Sequence, residues 1–246
     1  MNSNIEKHTR QFYHLLSLLE SLPNQGVQLS QLPSSKNIPF QGVYFFREPG
    51  ELVFKEIPRI VRVGTHAISS GSKSSLHERL KAHLGSKTGS GNHRGSVFRK
   101  HLGHALLQKE QYSIPTWGVG SSKPLELKVD PMAQKAEAIW EKKVSDHIGA
   151  MTILWIDVQD EPSTESMRAF IELNAIALLS NHCTPVVSAS ETWLGRHSIC
   201  KEIRESMLWN SEHVDKTYDP AFLDVLDRFV QLTVRQWGTR SALPVV

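Results

Sequence analysis

The sequence predicts an α+β fold: a small antiparallel three-stranded sheet flanked by helices, with added N- and C-terminal helices. Three observations predict it. Short β-like runs cluster early, at Phe40–Arg47, Leu52–Ile57 and Arg59–Thr65, around the turn signal Pro49-Gly50, at a spacing suited to an antiparallel meander. Apolar residues elsewhere recur at helical spacing behind Ser and Asp caps. Helix-like segments both precede and follow the β-rich block, instead of alternating with its strands.

Residues 3–22 read as an amphipathic helix, with Ser3 and Glu6 as a capping box and Phe12, Leu15, Leu16, Leu19 and Leu22 as its apolar stripe. Pro23–Pro39 reads as linker or loop. After the β-like runs, the Ser/Gly stretch Ile68–Ser74 leads to a helix over Ser75–Leu84. There Ser75 and Glu78 form a second capping box, and Leu76, Leu80 and Leu84 share one stripe. Gly85–Ser96 is a mobile loop by composition, followed by a helix at Val97–Lys109. Asp130-Pro131 opens a helix to His147, Met151–Val158 reads as a strand, and Ser163 caps a helix through Leu179. A last helix runs from Asp219-Pro220 to about Trp237.

At 246 residues, with 39% hydrophobic and 22% charged content, the chain has the composition of an ordinary globular protein. No apolar run approaches the roughly 20 residues that span a bilayer, and the polar stretch Met1–Arg10 is unlike a secretory signal. With two cysteines, Cys183 and Cys200, there is no disulfide framework, so a cytoplasmic setting is expected. Charge is concentrated: Lys73–Lys109 holds eight Lys and Arg against one acid, Glu78, in a chain of net charge +3. One-sided clustering of this kind suits a polyanion, because bound phosphates exchange counterions for Lys and Arg; a solvated charged face is the plainer reading.

Three features carry chemistry. Arg79 and His83, four residues apart, project from one helix face, where a guanidinium can fork onto phosphate oxygens and an imidazole can accept or orient a proton. Glu172 lies in the mostly apolar run Phe170–Leu179. It either pairs with Arg168 at the surface or faces a cleft holding a cation, since an unpartnered buried carboxylate costs several kcal/mol. Third, Gly42-Val43-Tyr44 is followed by Val61-Arg62-Val63-Gly64, with Tyr44 and Phe46 on one strand face.

Together these residues resemble the GIY-YIG nuclease family. Gly42-Val43-Tyr44 matches its first tripeptide, Arg62-Val63-Gly64 stands where the second is expected, and Leu76–His83 is similar to its catalytic-arginine helix. Arg79 and His83 have the spacing of its restriction-endonuclease branch. Glu172 matches its metal-binding glutamate and Asn181 its asparagine, over about Pro39 to Asn181. The plain departure is Arg62, where the family has tyrosine. The divisions expected are an N-terminal helix and linker (1–37), a nuclease domain (38–185, with an insertion at about 85–150) and a C-terminal helical extension (186–246).

The resemblance implies hydrolysis of DNA phosphodiester bonds with Mg²⁺ or Mn²⁺ held by Glu172, in restriction, phage defence or repair. Tyr44 would position or deprotonate the attacking water with help from His83, Arg79 would stabilise phosphoryl charge, and Arg62 would bind phosphate in the missing tyrosine's place. A tyrosine-centred mechanism implies a basic pH optimum. Lys73, Lys87, Arg94, Arg99, Lys100 and Asn181 are the expected contacts to nucleic acid. The main alternative is a non-catalytic nucleic-acid-binding module of the same fold, and a weaker one is a domain binding an acidic protein. Zinc ligands could come from His93, His101, His104 and His182-Cys183, a pattern without HExxH or a cysteine pair.

Overall fold

Strand β2 (Gly42–Val53) pairs antiparallel with β3 (Ile57–Gly64) on one side and β4 (Thr152–Asp157) on the other. A two-residue strand, β1 (Val27–Gln28), closes the far edge of β4, giving the order β1-β4-β2-β3. The structure, a computed structural model, describes residues 3–86, 90–182 and 188–238. The α+β class with an antiparallel sheet and extra terminal helices is present. The fourth strand comes from the stretch read as linker, where Gly26 and Leu29 donate to the carbonyls of Ile153 and Met151.

Among the described residues the helices are α1 (Ser3–Ser17), α2 (Leu76–Leu84), α3 (Val97–Lys109), α4 (Leu125–Val129), α5 (Pro131–Ala150), α6 (Met167–Leu179), α7 (Lys201–Ser206) and α8 (Phe222–Gly238). The capping box at Ser75 and Glu78 forms as the spacing requires. The side chain of Ser3, one half of the box expected with Glu6, lies outside the described ones. Helix α6 begins later than expected: Ser166 caps it by accepting from Ala169 N–H, while Ser163 closes the preceding turn.

The separate strand expected at Leu52–Ile57 does not form. Pro49-Gly50 lies inside β2 at a register irregularity, where a residue without an N–H is tolerated. The chain instead reverses at Phe54–Glu56, with Phe54 and Lys55 at φ 50° and 72°.

Val43, Tyr44, Phe45 and Phe46 are fully buried, so β2 is covered on both faces. Phe46 meets Phe98 of α3, and Phe45 meets Phe12 of α1. Each such burial contributes roughly 1.5–3 kcal/mol. The outer edge of β3 is covered by the chain after α7: Trp209 N–H donates to Val61 O at 2.6 Å, and the Asn210 amide brackets Val63 with bonds of 3.1 and 2.8 Å. Pairing that edge removes a row of open backbone groups. No helix among the described residues is long and apolar enough to cross a membrane.

Candidate active site

Gly42 and Gly64 are dictated by close approach. A Cβ on Gly42 would stand 2.2 Å from Ile156 O, and one on Gly64 would stand 2.2 Å from the Tyr44 hydroxyl oxygen. Tyr44 and Gly64 are direct partners in the β2–β3 ladder, so the tyrosine ring crosses its cross-strand glycine. That crossing explains the spacing of the two tripeptides: the second must end in glycine wherever the first ends in an inward tyrosine.

Tyr44 is fully buried. Its hydroxyl lies 2.8 Å from His83 Nε2, and His83 Nδ1 lies 2.9 Å from Ser96 Oγ, which also caps α3 by accepting from Arg99 N–H. Burial, followed by the charges of Arg62, Arg79 and Arg99, holds the His83 pKa well below its usual value, so the imidazole is neutral. A neutral ring donates at one nitrogen and accepts at the other, which orders the Tyr44–His83–Ser96 chain. The Tyr44 hydroxyl is beneath Gly64, bonded to His83 and outside the cleft lining.

Beside Gly64 opens a cleft of about 370 Å³. Arg62, Thr65 and His66 form its β3 side, Arg79 comes from α2, Glu172 from α6, and Asn210–His213 close it. Arg62 is held from behind by Trp209 O, 2.6 Å from Nη1, and its guanidinium carbon lies 4.8 Å from the Phe98 ring centroid. Among the described residues, seven buried side-chain N or O atoms lack a partner; three of them, Arg62 Nε, Arg79 Nε and His66 Nδ1, belong to this cleft. A buried polar atom without a partner costs about 1–3 kcal/mol, so the two arginine donors point to a missing acceptor.

Glu172 faces the same cleft. Of the two environments open to it from sequence, the pair with Arg168 is ruled out, because Arg168 bonds Asp160 and the carbonyl of His66. Glu172 Oε1 accepts from Thr65 N–H at 3.2 Å. Burial raises its pKa against the opposing pull of Arg62, Thr65 and Arg79, and Glu212 adds to the rise. This carboxylate suits a cation. No group of three or more His, Cys, Asp or Glu that could hold a metal occurs among the described residues. An ion here would therefore rest on Glu172, substrate oxygens and water, a donor set suited to Mg²⁺.

The expected nucleic-acid contacts divide. Lys73 is exposed on the loop before α2, and Lys100 is half-buried on α3. Lys87 lies outside the described residues, as does Cys183. Arg94 and Arg99 require correction. Arg94 forms a two-pronged pair with Glu137 at 2.9 and 2.8 Å and donates to Thr116 O at 2.7 Å. Arg99 is fully buried, paired with Glu141 and donating to the last carbonyls of α2, at His83 and Leu84. These guanidiniums have their acceptors within the protein. Asn181 is buried against the Met207 sulfur, away from the cleft lining. The zinc reading loses His93, whose Nδ1 bonds Glu141 and whose Nε2 accepts from Gly118 N–H.

Sequence reasoning missed Asn210–His213, because no local pattern marks them; they reach the cleft only through the pairing of Trp209 and Asn210 with β3. Ser96 was read as the end of a loop, and the fold makes it the cap of α3 and sets it against His83. The family model described as GIY-YIG domain matches residues 3–236, from α1 into α8. No curated protein and no solved structure matches the chain significantly.

Proposed function

The chain belongs to the GIY-YIG domain family, a nuclease superfamily, and on that premise we propose that it is a metal-dependent endonuclease hydrolysing DNA phosphodiester bonds. The observation that carries this reading is the arrangement across the cleft. Two arginines with unpartnered buried Nε donors, Arg62 and Arg79, share it with a carboxylate whose pKa is raised by burial. A phosphodiester supplies the acceptors those donors lack, and a divalent cation supplies the charge that Glu172 lacks.

In this reading Arg79 and Arg62 bind the scissile phosphate and stabilise charge that grows on its oxygens as water attacks phosphorus and the bond to the 3′ oxygen breaks. Glu172 holds Mg²⁺ or Mn²⁺, which when bound stabilises charge on the leaving oxygen. Thr65 N–H fixes the orientation of the carboxylate. Tyr44 and His83 act from beneath, as a hydrogen-bonded pair that sets the floor at Gly64 and thereby the position of Thr65. Lys73 and Lys100 contact the DNA backbone outside the cleft.

Nicking of supercoiled plasmid in Mg²⁺ by the wild type and by Glu172→Gln tests the proposal. The expected result is cleavage by the wild type that depends on the divalent ion, and its loss in the variant with DNA binding retained. DNA binding without cleavage across Mg²⁺, Mn²⁺ and several DNA forms would instead identify a non-catalytic binding module. Equal cleavage by both proteins would remove Glu172 from the metal site.

A further inference from the structure

We infer that His66 is a catalytic residue of this cleft, which receives a hydrogen bond from the attacking water at Nδ1. The inference rests on the nuclease reading and assigns the water-orienting task that the buried Tyr44 hydroxyl does not reach.

The tautomer follows from geometry. His66 Nε2 lies 3.2 Å from Phe40 O, an atom that only accepts, so the ring proton sits on Nε2. Nδ1 is left with a lone pair, is buried, and has no partner. His66 is 5% exposed and lines the cleft with Arg79 and Glu172. In a packed interior such an acceptor calls for a donor that arrives later. The residue is also held firmly. Arg168 Nη1 donates to its carbonyl at 2.6 Å, and the next residue, Ala67, is fixed at φ 52°, a left-handed conformation that a residue with a Cβ seldom adopts. Strain retained next to a clamped side chain is a mark of pre-organised sites.

The charges around the ring decide which way it can act. Arg168 and Asp160 face it from the α6 side, and Arg79 and Glu78 from α2. Burial first, then the two arginines, hold its pKa down at about 4. A ring this reluctant to take a proton serves as an acceptor: it aligns a water oxygen toward phosphorus and stays neutral, while the proton released as the water attacks passes to solvent in the open cleft. Its other bond is dispensable to the fold, because Phe40 O also accepts from Leu76 N–H at 2.8 Å.

Two measurements test the assignment. Imidazole ¹⁵N shifts at pH 7 should show His66 neutral with the proton on Nε2; a proton on Nδ1, or an imidazolium, overturns the inference whether or not the protein cleaves DNA. Single-turnover plasmid nicking by His66→Ala should fall on the order of 100-fold at saturating DNA, with DNA affinity and melting temperature held, as expected when a nucleophile loses its alignment. His66→Asn, which returns an acceptor near the Nδ1 position, should recover part of that rate. The deficit should be the same from pH 6 to 9, because the ring does not titrate there. A His66→Ala enzyme that nicks at the wild-type rate while Glu172→Gln is dead would sink this inference and leave the nuclease reading standing. A wild type that does not nick removes both.

Discussion

Arg62 and Arg79 in the cleft and Arg94 and Arg99 beside α3 are the same residue type in two opposite states. Arg99 satisfies Glu141, Ser145 and the carbonyls of His83 and Leu84, and Arg94 satisfies Glu137 and the carbonyls of Thr116 and Val119. Arg62 and Arg79 each retain a buried Nε without a partner. A guanidinium whose donors are met inside the protein holds the fold together, whereas one left short of acceptors at a cleft wall is kept for a ligand. The two sets are also connected. Arg99 caps the C-terminal carbonyls of the helix that carries Arg79 and His83, so the internally satisfied arginine helps set the position of the one at the cleft.

The sharpest way to break this contrast is Arg99→Met. It removes one partner of a buried ion pair and uncaps α2, and should cost about 3–5 kcal/mol in urea unfolding. Next comes Arg79→Ala, which should lower nicking on the order of 10²–10³-fold while changing stability by less than about 1 kcal/mol. If Arg79→Ala destabilises as much as Arg99→Met, the two arginines do not differ in kind. Gly64→Ala should cost about 1–3 kcal/mol, since its Cβ would stand 2.2 Å from the Tyr44 hydroxyl oxygen; an unchanged melting temperature would mean that Tyr44 does not cross the glycine.

A cumulative effect, spread over several side chains, concerns acid. His66 and His101 are both held at about 4, and His83 is also held low, each through burial first and nearby positive charge second. The unfolded chain therefore binds protons before the folded one does. Stability should be level above pH 6.5 and decline as pH falls from there toward about 4, by up to roughly 1.4 kcal/mol per unit for each histidine. Urea midpoints at pH 7.5, 6.0 and 5.0 read this directly, and a flat profile would show that these rings protonate freely in the folded protein.

Much of the frame was legible without coordinates. Capping residues marked the starts of α2 and α5, and the apolar stripe of α1 placed Phe12, Leu15 and Leu16 in the core. Short β-branched and aromatic runs located β3 within two residues and β4 within one, because local propensity and burial agree there. The irregularity in β2 was read as a turn, since Pro-Gly has the same local chemistry in a bulge as in a reversal. β1 was hidden in a stretch too short and polar to alternate, and it is a strand only because β4 has an open edge.

The sequence by itself singled out the candidate site residues: strand alternation, helix periodicity and the resemblance of their order to one family mark Gly42-Val43-Tyr44, Arg62 with Gly64, Arg79 with His83, and Glu172. Tertiary structure alone decided which of the many positive charges remain available. Eight Lys and Arg crowd Lys73–Lys109, and composition cannot distinguish Arg99, consumed by Glu141 some forty residues away, from Arg79, left open at the cleft. The physical reason is range. Propensity and capping act over a few residues and leave a trace in the local pattern, while the acceptors that satisfy a buried guanidinium come from any part of the chain that folding brings alongside it.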